Sequence, residues 1–429
     1  MGKNERETAV DILTEVLNGT HNNAILKRTL DASGYSGIQK HLVTELVNGT
    51  IRNLIYIDYV LSKFVSKSPK RFVKNLLRVA VYQICFADKI PDYAACNEAT
   101  DIVKRREPQN AGFVNAVLRK VSADKGNTKL PQDKKEYIAV KYSMPIWIID
   151  LWLSRGDGFA FVEKICEEYA KRPNIYICVN TRKTDAEELT RILEGEGALV
   201  SKTDASPNTL KIENAAISEI QSFKDGLFHV MDVSASIAAD MPYKFGDVPN
   251  APKILDACAA PGGKSFRLAQ LYPKGEITAC DIYENKLERV REGAARLGLD
   301  NINVLNMDAA KFSGDFFEAF DIVVVDAPCS GLGLLRKKPD IKFNRKPDDV
   351  QTLAKTQRAM LKNCAKYVKR GGILLYCACT ITYPENQGHD DFILNEIGGF
   401  QDTHRETLIQ PHIYDSDGFY SKMFVRVHN

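Results

Sequence analysis

Asp256-Ala-Cys258-Ala259-Ala260-Pro261-Gly262-Gly263-Lys264 follows a short apolar run at 254–255 and leads into an amphipathic run at 265–271. This pattern predicts a strand, a tight small-residue turn and a helix. Such a turn brings backbone amides close to a ligand at a helix N-terminus, where they lack intrahelical partners. It is not a dinucleotide fingerprint, because G-x-G-x-x-G is absent and Pro261 removes one amide from a pyrophosphate cradle. A nicotinamide dehydrogenase is therefore disfavoured.

Beyond this turn, β-rich runs at 277–280, 304–305, 322–325 and 373–376 alternate with amphipathic helical patterns. That rhythm predicts a parallel sheet with crossover helices, a Rossmann-like α/β domain. The second strand ends in Asp281, about 20 residues past the glycines, where a carboxylate can accept hydrogen bonds from both ribose hydroxyls. The third is followed by Asp308, placed at a carboxyl-end loop to meet an adenine amino group, or simply to cap the residues after it. Taken in order at successive strand ends, these acids point to an adenosyl ligand.

The fourth strand delivers Asp326-Ala-Pro-Cys329-Ser-Gly331, and the fifth delivers Cys377, Cys379, Thr380 and then Pro384-Glu-Asn386. Two thiol-bearing loops thus end at one crevice. No Cys-x-x-Cys occurs and Cys377-Ala-Cys379 is a poor zinc spacing, so no metal is expected. Carbon 5 of cytosine is a weak nucleophile, and a thiolate adding at carbon 6 converts the ring into an enamine able to attack a methyl sulfonium. Asp326, its pKa raised by burial, would hold the ring nitrogen, and a second thiol would assist elimination. Spacing alone leaves open which cysteine plays which part. Cys85, Cys166, Cys178 and Cys364 lie in apolar runs and read as core residues.

The rest of the chain reads as separate modules. Apolar residues recur at helical spacing through residues 1–125, among them Val10, Leu13, Leu46, Ile51, Leu76, Val79 and Ile84, and the breakers Gly34, Gly37, Pro69, Pro91 and Pro108 divide them into about five or six helices. This segment holds 19 Lys and Arg against 13 Asp and Glu, whereas the remainder holds 39 against 42, so positive charge gathers at the front. A polar linker precedes a small α/β domain at 135–242, with strands at 175–179 and 227–231, and the catalytic domain is placed at 243–429. Hydrophobic residues at 44% and charged residues at 26% fit a globular protein. The charged start, the ten cysteines without a secretion signal and the lack of a long apolar stretch predict a reduced, cytoplasmic chain with no export, lipid or membrane signal.

At these residues the chain resembles the RNA cytosine-5 methyltransferases, in the RsmB (Sun/Fmu) branch, over nearly its whole length. The resemblance rests on Asp256 to Lys264, on Asp326-Ala-Pro-Cys329-Ser, and on Tyr376-Cys-Ala-Cys379-Thr with Glu385-Asn386. It implies that Cys379 is the nucleophile and Cys329 the release-assisting thiol. It further implies that Cys258, Ala259, Ala260, Pro261, Gly262, Gly263, Lys264, Asp281, Asp308 and Asp326 line an S-adenosylmethionine site. The helical front resembles the NusB-type RNA-binding fold, which implies a grip on 16S ribosomal RNA by a monomer. Arg336-Lys-Lys-Pro-Asp340 resembles a basic loop of this branch that would meet phosphate.

The chain departs from the family pattern in Ala378 and Thr380, where Thr and Ser are usual, and in Met231-Asp232, where Gln-Asp is usual. Cys377 is a possible competitor in thiol labelling. The rivals are a cytosine methyltransferase acting on transfer RNA or DNA, and a non-catalytic RNA-binding assembly factor. Intact Asp326, Cys329 and Cys379 argue against the second.

Overall fold

A computed structural model describes residues 4–427. They form two compact units, one made of residues up to 172 together with 335–346, the other of 173–334 together with 347 onward.

The first unit is helical. Seven α-helices lie between Glu5 and Ala123, and Lys134–Lys141, Ile146–Leu153 and Phe159–Ala170 follow. The extra break comes at Asn53, where Gly37–Arg52 gives way to Leu54–Ser62 with no glycine or proline at the junction. Instead both the backbone and the side-chain amide of Asn53 donate to the Gly49 carbonyl, at 3.1 and 2.9 Å, which caps the end of the helix. Val10, Leu13, Leu46, Ile51, Leu76, Val79 and Ile84 are all buried in one core.

The segment 335–346 belongs to this helical unit, and two of its basic residues, Arg336 and Lys342, are buried. Arg336 is 5% exposed; its guanidinium donates to the Glu168 carboxylate at 2.8 Å and to the Arg172 carbonyl at 2.7 Å. Asp340 accepts from the Asn22 amide at 3.3 Å. Lys342 is buried and donates to the Arg52 and Ser143 carbonyls at 2.9 and 2.7 Å. Of the cations in the basic loop, Arg336 is structural, Lys337 is half-buried and Lys338 is exposed.

In the second unit, β1 (Ile175–Val179), β2 (Leu199–Lys202), β3 (Thr209–Glu213) and β4 (Phe228–Val230) make an antiparallel sheet in the order β2-β3-β1-β4. A seven-stranded sheet follows, built of β5 (Lys253–Asp256), β6 (Glu276–Asp281), β7 (Ile302–Asn306), β8 (Phe320–Asp326), β9 (Val368–Ala378), β10 (Phe400–Ile409) and β11 (Phe419–Arg426). Its order is β10-β11-β9-β8-β5-β6-β7. The pairs β6/β7, β5/β6, β5/β8 and β8/β9 are parallel, as the alternation of strands and helices implied, and β11 runs antiparallel to β9 and β10. The strand order reverses at β5, and an open α/β sheet forms its ligand crevice at such a switch point, outside the carboxyl ends of the strands.

Strands β2, β3, β10 and β11 escaped the sequence reading. The first three lie at or near sheet edges and carry charged or polar residues at half or more of their positions, so they lack the apolar run that announces a buried strand. Among the described residues no helix is long and apolar enough to cross a membrane.

Burial and the nearby Arg52 push the Lys342 ammonium from 10.5 down to about 7. Between these values the unfolded chain binds a proton that the folded chain does not, so stability rises with pH across this window. Replacement by methionine should remove that rise. Urea-unfolding midpoints of wild type and Lys342→Met, compared from pH 7 to 10, should shift relative to each other in favour of wild type; parallel curves would contradict the assignment.

Candidate active site

The turn after β5 is shaped by its glycines. Gly262 has φ +114°, a left-handed conformation that only glycine adopts at low cost, and a Cβ there would lie 2.3 Å from the Phe266 ring. The Ala260–Pro261 peptide is cis. Helix Gly263–Leu271 starts directly after it, with its first amides directed out of the helix end. The Ala259 amide donates to the Cys280 carbonyl at 2.7 Å, which ties the turn to the end of β6.

Two carboxylates, Asp256 and Asp326, contact the helix that follows this turn, and Asp281 and Asp308 lie at and beyond the ends of β6 and β7. Asp256 is 1% exposed; one oxygen accepts from the Ser265 hydroxyl at 2.7 Å and the other has no partner. Burial lifts its carboxyl to about 6, against the pull of Ser265 and Lys264. Asp281 accepts from the Tyr283 amide at 3.0 Å, and Asp308 from the Ala310 amide at 3.0 Å, with the Lys311 ammonium at 3.5 Å. Strand pairing sets Asp281 opposite Asn306, two residues before Asp308. The Cys258 thiol is pushed far up by burial, with the charges of Asp256, Asp326 and Asp281 adding to it.

Asp326 differs from the buried acid expected of it. Its side chain is 28% exposed and its carboxylate meets the Lys264 ammonium at 2.6 Å. Burial works against the Lys264 charge, but Asp326 outweighs it and holds the proton on more tightly than in an ordinary lysine. The sequence does not reveal this partner, because the two residues lie on different strand-end loops. Lys264 also stands 5.0 Å from the centre of the Phe419 ring. Asp256, Cys258, Lys264 and Asp326 line a cavity of about 540 Å³ that extends past His229 and Met231. Asp281 and Asp308 do not line it.

Parallel pairing of β8 with β9 sets Asp326 opposite Cys377, so the loops leaving the two strands start side by side. The Cys329 and Cys379 sulfurs stand 2.9 Å apart as free thiols, both partly buried. The sulfur of Cys379, and then burial and the charges of Glu385 and Asp326, push the Cys329 thiol well above its ordinary value. Each of these causes favours the protonated form of Cys329. Cys377 is fully buried and its thiol is pushed up by that burial, so it does not compete for labelling reagents as the sequence suggested.

Behind the thiols lies a buried network built on Glu385, Ser330, Thr380, Thr382 and Gln357, with the His389 ring against Gln357 at 2.8 Å and its pKa lowered by burial to about 4. Thr380 supplies to Ser330, at 3.0 Å, the hydroxyl that a serine would supply there. Glu385-Asn386 stands out in the sequence as a motif, but a carboxylate that acts only through hydrogen bonds to two distant loops carries no local signal of its role. Among the described residues no group of three or more His, Cys, Asp or Glu is placed to hold a metal ion.

The sheet order, with a strand inserted antiparallel near one edge and a glycine turn after the central strand, defines a Rossmann-like methyltransferase fold preceded by a small middle domain and a NusB-like helical domain. Comparison with known proteins specifies the family. Residues 247–424 match the model for 16S rRNA methyltransferase RsmB/F, residues 3–123 the NusB family, and residues 144–218 the RsmF/B-like ferredoxin-like domain. The chain is 36% identical to the probable ribosomal RNA small subunit methyltransferase B of Bacillus subtilis (strain 168), over 97% of each chain. It is 31% identical over 90% of each to the enzyme of that name from Shewanella oneidensis. The crystal structure of PH0851 shares the fold over 99% of both chains, with 24% identity and a TM-score of 0.80. NSun6 from Pyrococcus horikoshii, solved with SFG, covers 70% of this chain and 99% of its own, with 22% identity and a TM-score of 0.58. The chain belongs to the ribosomal RNA small subunit methyltransferase B family.

Gly333 tests how rigidly the thiol loops are held. Its amide donates to the Cys379 carbonyl at 3.1 Å, and a Cβ on it would lie 1.8 Å from the Gly418 carbonyl oxygen and 2.8 Å from that of Cys379. Gly333→Ala should cost about 1–3 kcal/mol of stability, as overpacking against backbone does, and should lower the alkylation rate of Cys379. A melting curve and labelling rate equal to wild type would mean that the loop yields freely.

Proposed function

We propose that this chain is a 16S ribosomal RNA methyltransferase that transfers a methyl group from S-adenosylmethionine to carbon 5 of a cytosine, through a transient bond between Cys379 and the base. The observation that carries this reading is the pair of free sulfurs 2.9 Å apart, on the loops that follow β8 and β9, beside the Lys264–Asp326 ion pair. Ribosomal RNA as substrate rests on the family, whose members carry that activity in their names.

The residues around the turn fit the cofactor. The open amides at the start of Gly263–Leu271 and the unpartnered oxygen of Asp256 offer complementary donors and an acceptor. Asp281 and Asp308 present carboxylates suited to ribose hydroxyls and an adenine amine. When bound there, S-adenosylmethionine supplies an electrophilic methyl group on a sulfonium.

Cys379 adds as a thiolate to carbon 6 of the splayed-out base, forming a C–S bond and pushing electron density to carbon 5. The Lys264–Asp326 pair meets the polar edge of the ring and stabilises the charge that develops on its nitrogen and oxygen. Carbon 5 then takes the methyl group. Transfer of its proton to a water molecule acting as base breaks the C–S bond, expels the Cys379 sulfur as a thiolate and restores the aromatic ring. Cys329, which retains its own proton, donates a hydrogen bond to the departing sulfur.

Cys379→Ala should abolish methylation and leave S-adenosylmethionine binding intact. Cys329→Ala should instead accumulate a protein–RNA adduct that survives denaturing electrophoresis. Bisulfite mapping of 16S ribosomal RNA, with and without the enzyme, locates the product. Full turnover by the Cys379 variant would refute the proposal.

A further inference from the structure

We propose that Glu385 is a positioning residue: its carboxylate clamps the Cys329 and Cys379 loops together and keeps the two sulfurs in separate roles. The inference rests on the reading of the thiol pair given above and assigns a task to a residue that touches neither substrate nor cofactor in that reading.

Glu385 is completely buried, and among the described residues no Lys, Arg or His forms an ion pair with it. A bare carboxylate in such a place is costly unless its oxygens are saturated by hydrogen bonds. They are. One oxygen accepts from the Ser330 amide at 2.7 Å and the Gln357 side-chain amide at 3.2 Å; the other accepts from the Ser330 hydroxyl at 2.6 Å and the Thr382 hydroxyl at 2.8 Å.

Those donors are the neighbours of the thiols. Ser330 directly follows Cys329, and its hydroxyl also touches that of Thr380, which directly follows Cys379. Gln357 donates as well to the carbonyl of Pro328, on the other side of Cys329. The Tyr376 hydroxyl donates to the Glu385 carbonyl at 2.7 Å, and the Asn386 amide to the Thr380 carbonyl at 3.1 Å, so the clamp is itself anchored at the end of β9. One carboxylate therefore holds Ser330, beside Cys329, and Thr382, three residues after Cys379, and through Ser330 it reaches Thr380, which ties together the loops whose sulfurs stand 2.9 Å apart.

A neutral amide of the same shape would fill the space, so a purely packing role does not call for an acid. The negative charge adds a second effect. Cys379, Glu385 and Asp326 all raise the Cys329 thiol, and Cys329 in turn raises the Tyr376 hydroxyl. Glu385 thus favours the protonated form of Cys329, and Cys379 is the sulfur that reacts in the reading given above.

The test compares full-length wild type with Glu385→Gln, using iodoacetamide at pH 8 with peptide mapping of both cysteines, alongside methylation kinetics and thermal melts. Wild type should label at Cys379 in preference to Cys329. The variant should lose most of that preference, with Cys329 labelling about tenfold faster, and kcat should fall about tenfold or more while KM for RNA stays within about twofold. If Glu385→Gln does not fold, Thr382→Val, which removes one hydrogen bond to that carboxylate at nearly constant shape, should show a partial loss of the same preference. An unchanged labelling pattern with wild-type kcat, or a kcat loss explained wholly by a lowered melting point, overturns the proposal. If wild type methylates no cytosine in RNA, the proposed function falls, while the labelling comparison still decides the clamp.

Discussion

Parallel pairing of β8 with both β5 and β9 is the constraint on which the site depends. It aligns Asp256 with Val324 and Asp326 with Cys377, so the chain leaves three adjacent strands at one edge. Short loops from that edge have nowhere to go but a shared crevice. The glycine turn, the Lys264–Asp326 pair and the two thiols come together because the backbone ladder sets their starting points, and side-chain contacts refine the rest. An antiparallel arrangement would send alternate loops to opposite ends of the sheet and separate the sulfurs.

What the ladder leaves undetermined is protonation, and there environment decides. Three kinds of acid meet at this edge. Asp256 is buried with one hydroxyl donor, and its carboxyl rises to about 6. Asp326 is partly exposed and paired with an ammonium. Glu385 is buried but saturated by four donors. The same division runs through the cysteines. Cys377 and Cys258 are raised chiefly by burial, whereas Cys329 is raised first by its neighbour Cys379. Identical side chains acquire different tasks from their surroundings alone.

These surroundings explain which parts could be read in advance. Strands β5, β6, β8 and β9 are buried on both faces and appear in the sequence as apolar runs ending in a functional residue, so fold class and the location of the thiols were legible. Strand β10 runs Phe400-Gln-Asp-Thr-His-Arg-Glu, which looks like a loop until β11 pairs with it. The acid–base partner of Asp326 was hidden for a related reason: Lys264 is 62 positions away, and only the sheet brings the two within 2.6 Å. Periodicity reports what an element buries; it is silent about which distant element supplies a partner.

The basic loop at 336–340 makes the same point about modular organisation. Read in series, the helical front, the small sheet and the large sheet look separable. The chain instead returns to the helical unit at 335–346, only two residues after Gly333, whose amide holds the Cys379 carbonyl. There Arg336, Asp340 and Lys342 find partners in Glu168, Arg172, Asn22, Arg52 and Ser143. Cutting away the front of the chain strips a buried ammonium and a buried carboxylate of their hydrogen-bond partners, and unpartnered buried charge is among the costliest defects a fold can carry. The helical unit is therefore part of what stabilises the segment that follows the Cys329 loop, in addition to any contact it makes with RNA. Conversely, substitutions in 335–346 act first on the packing of the helical unit, and a change in RNA affinity caused by one of them reports on that packing before it reports on phosphate contacts.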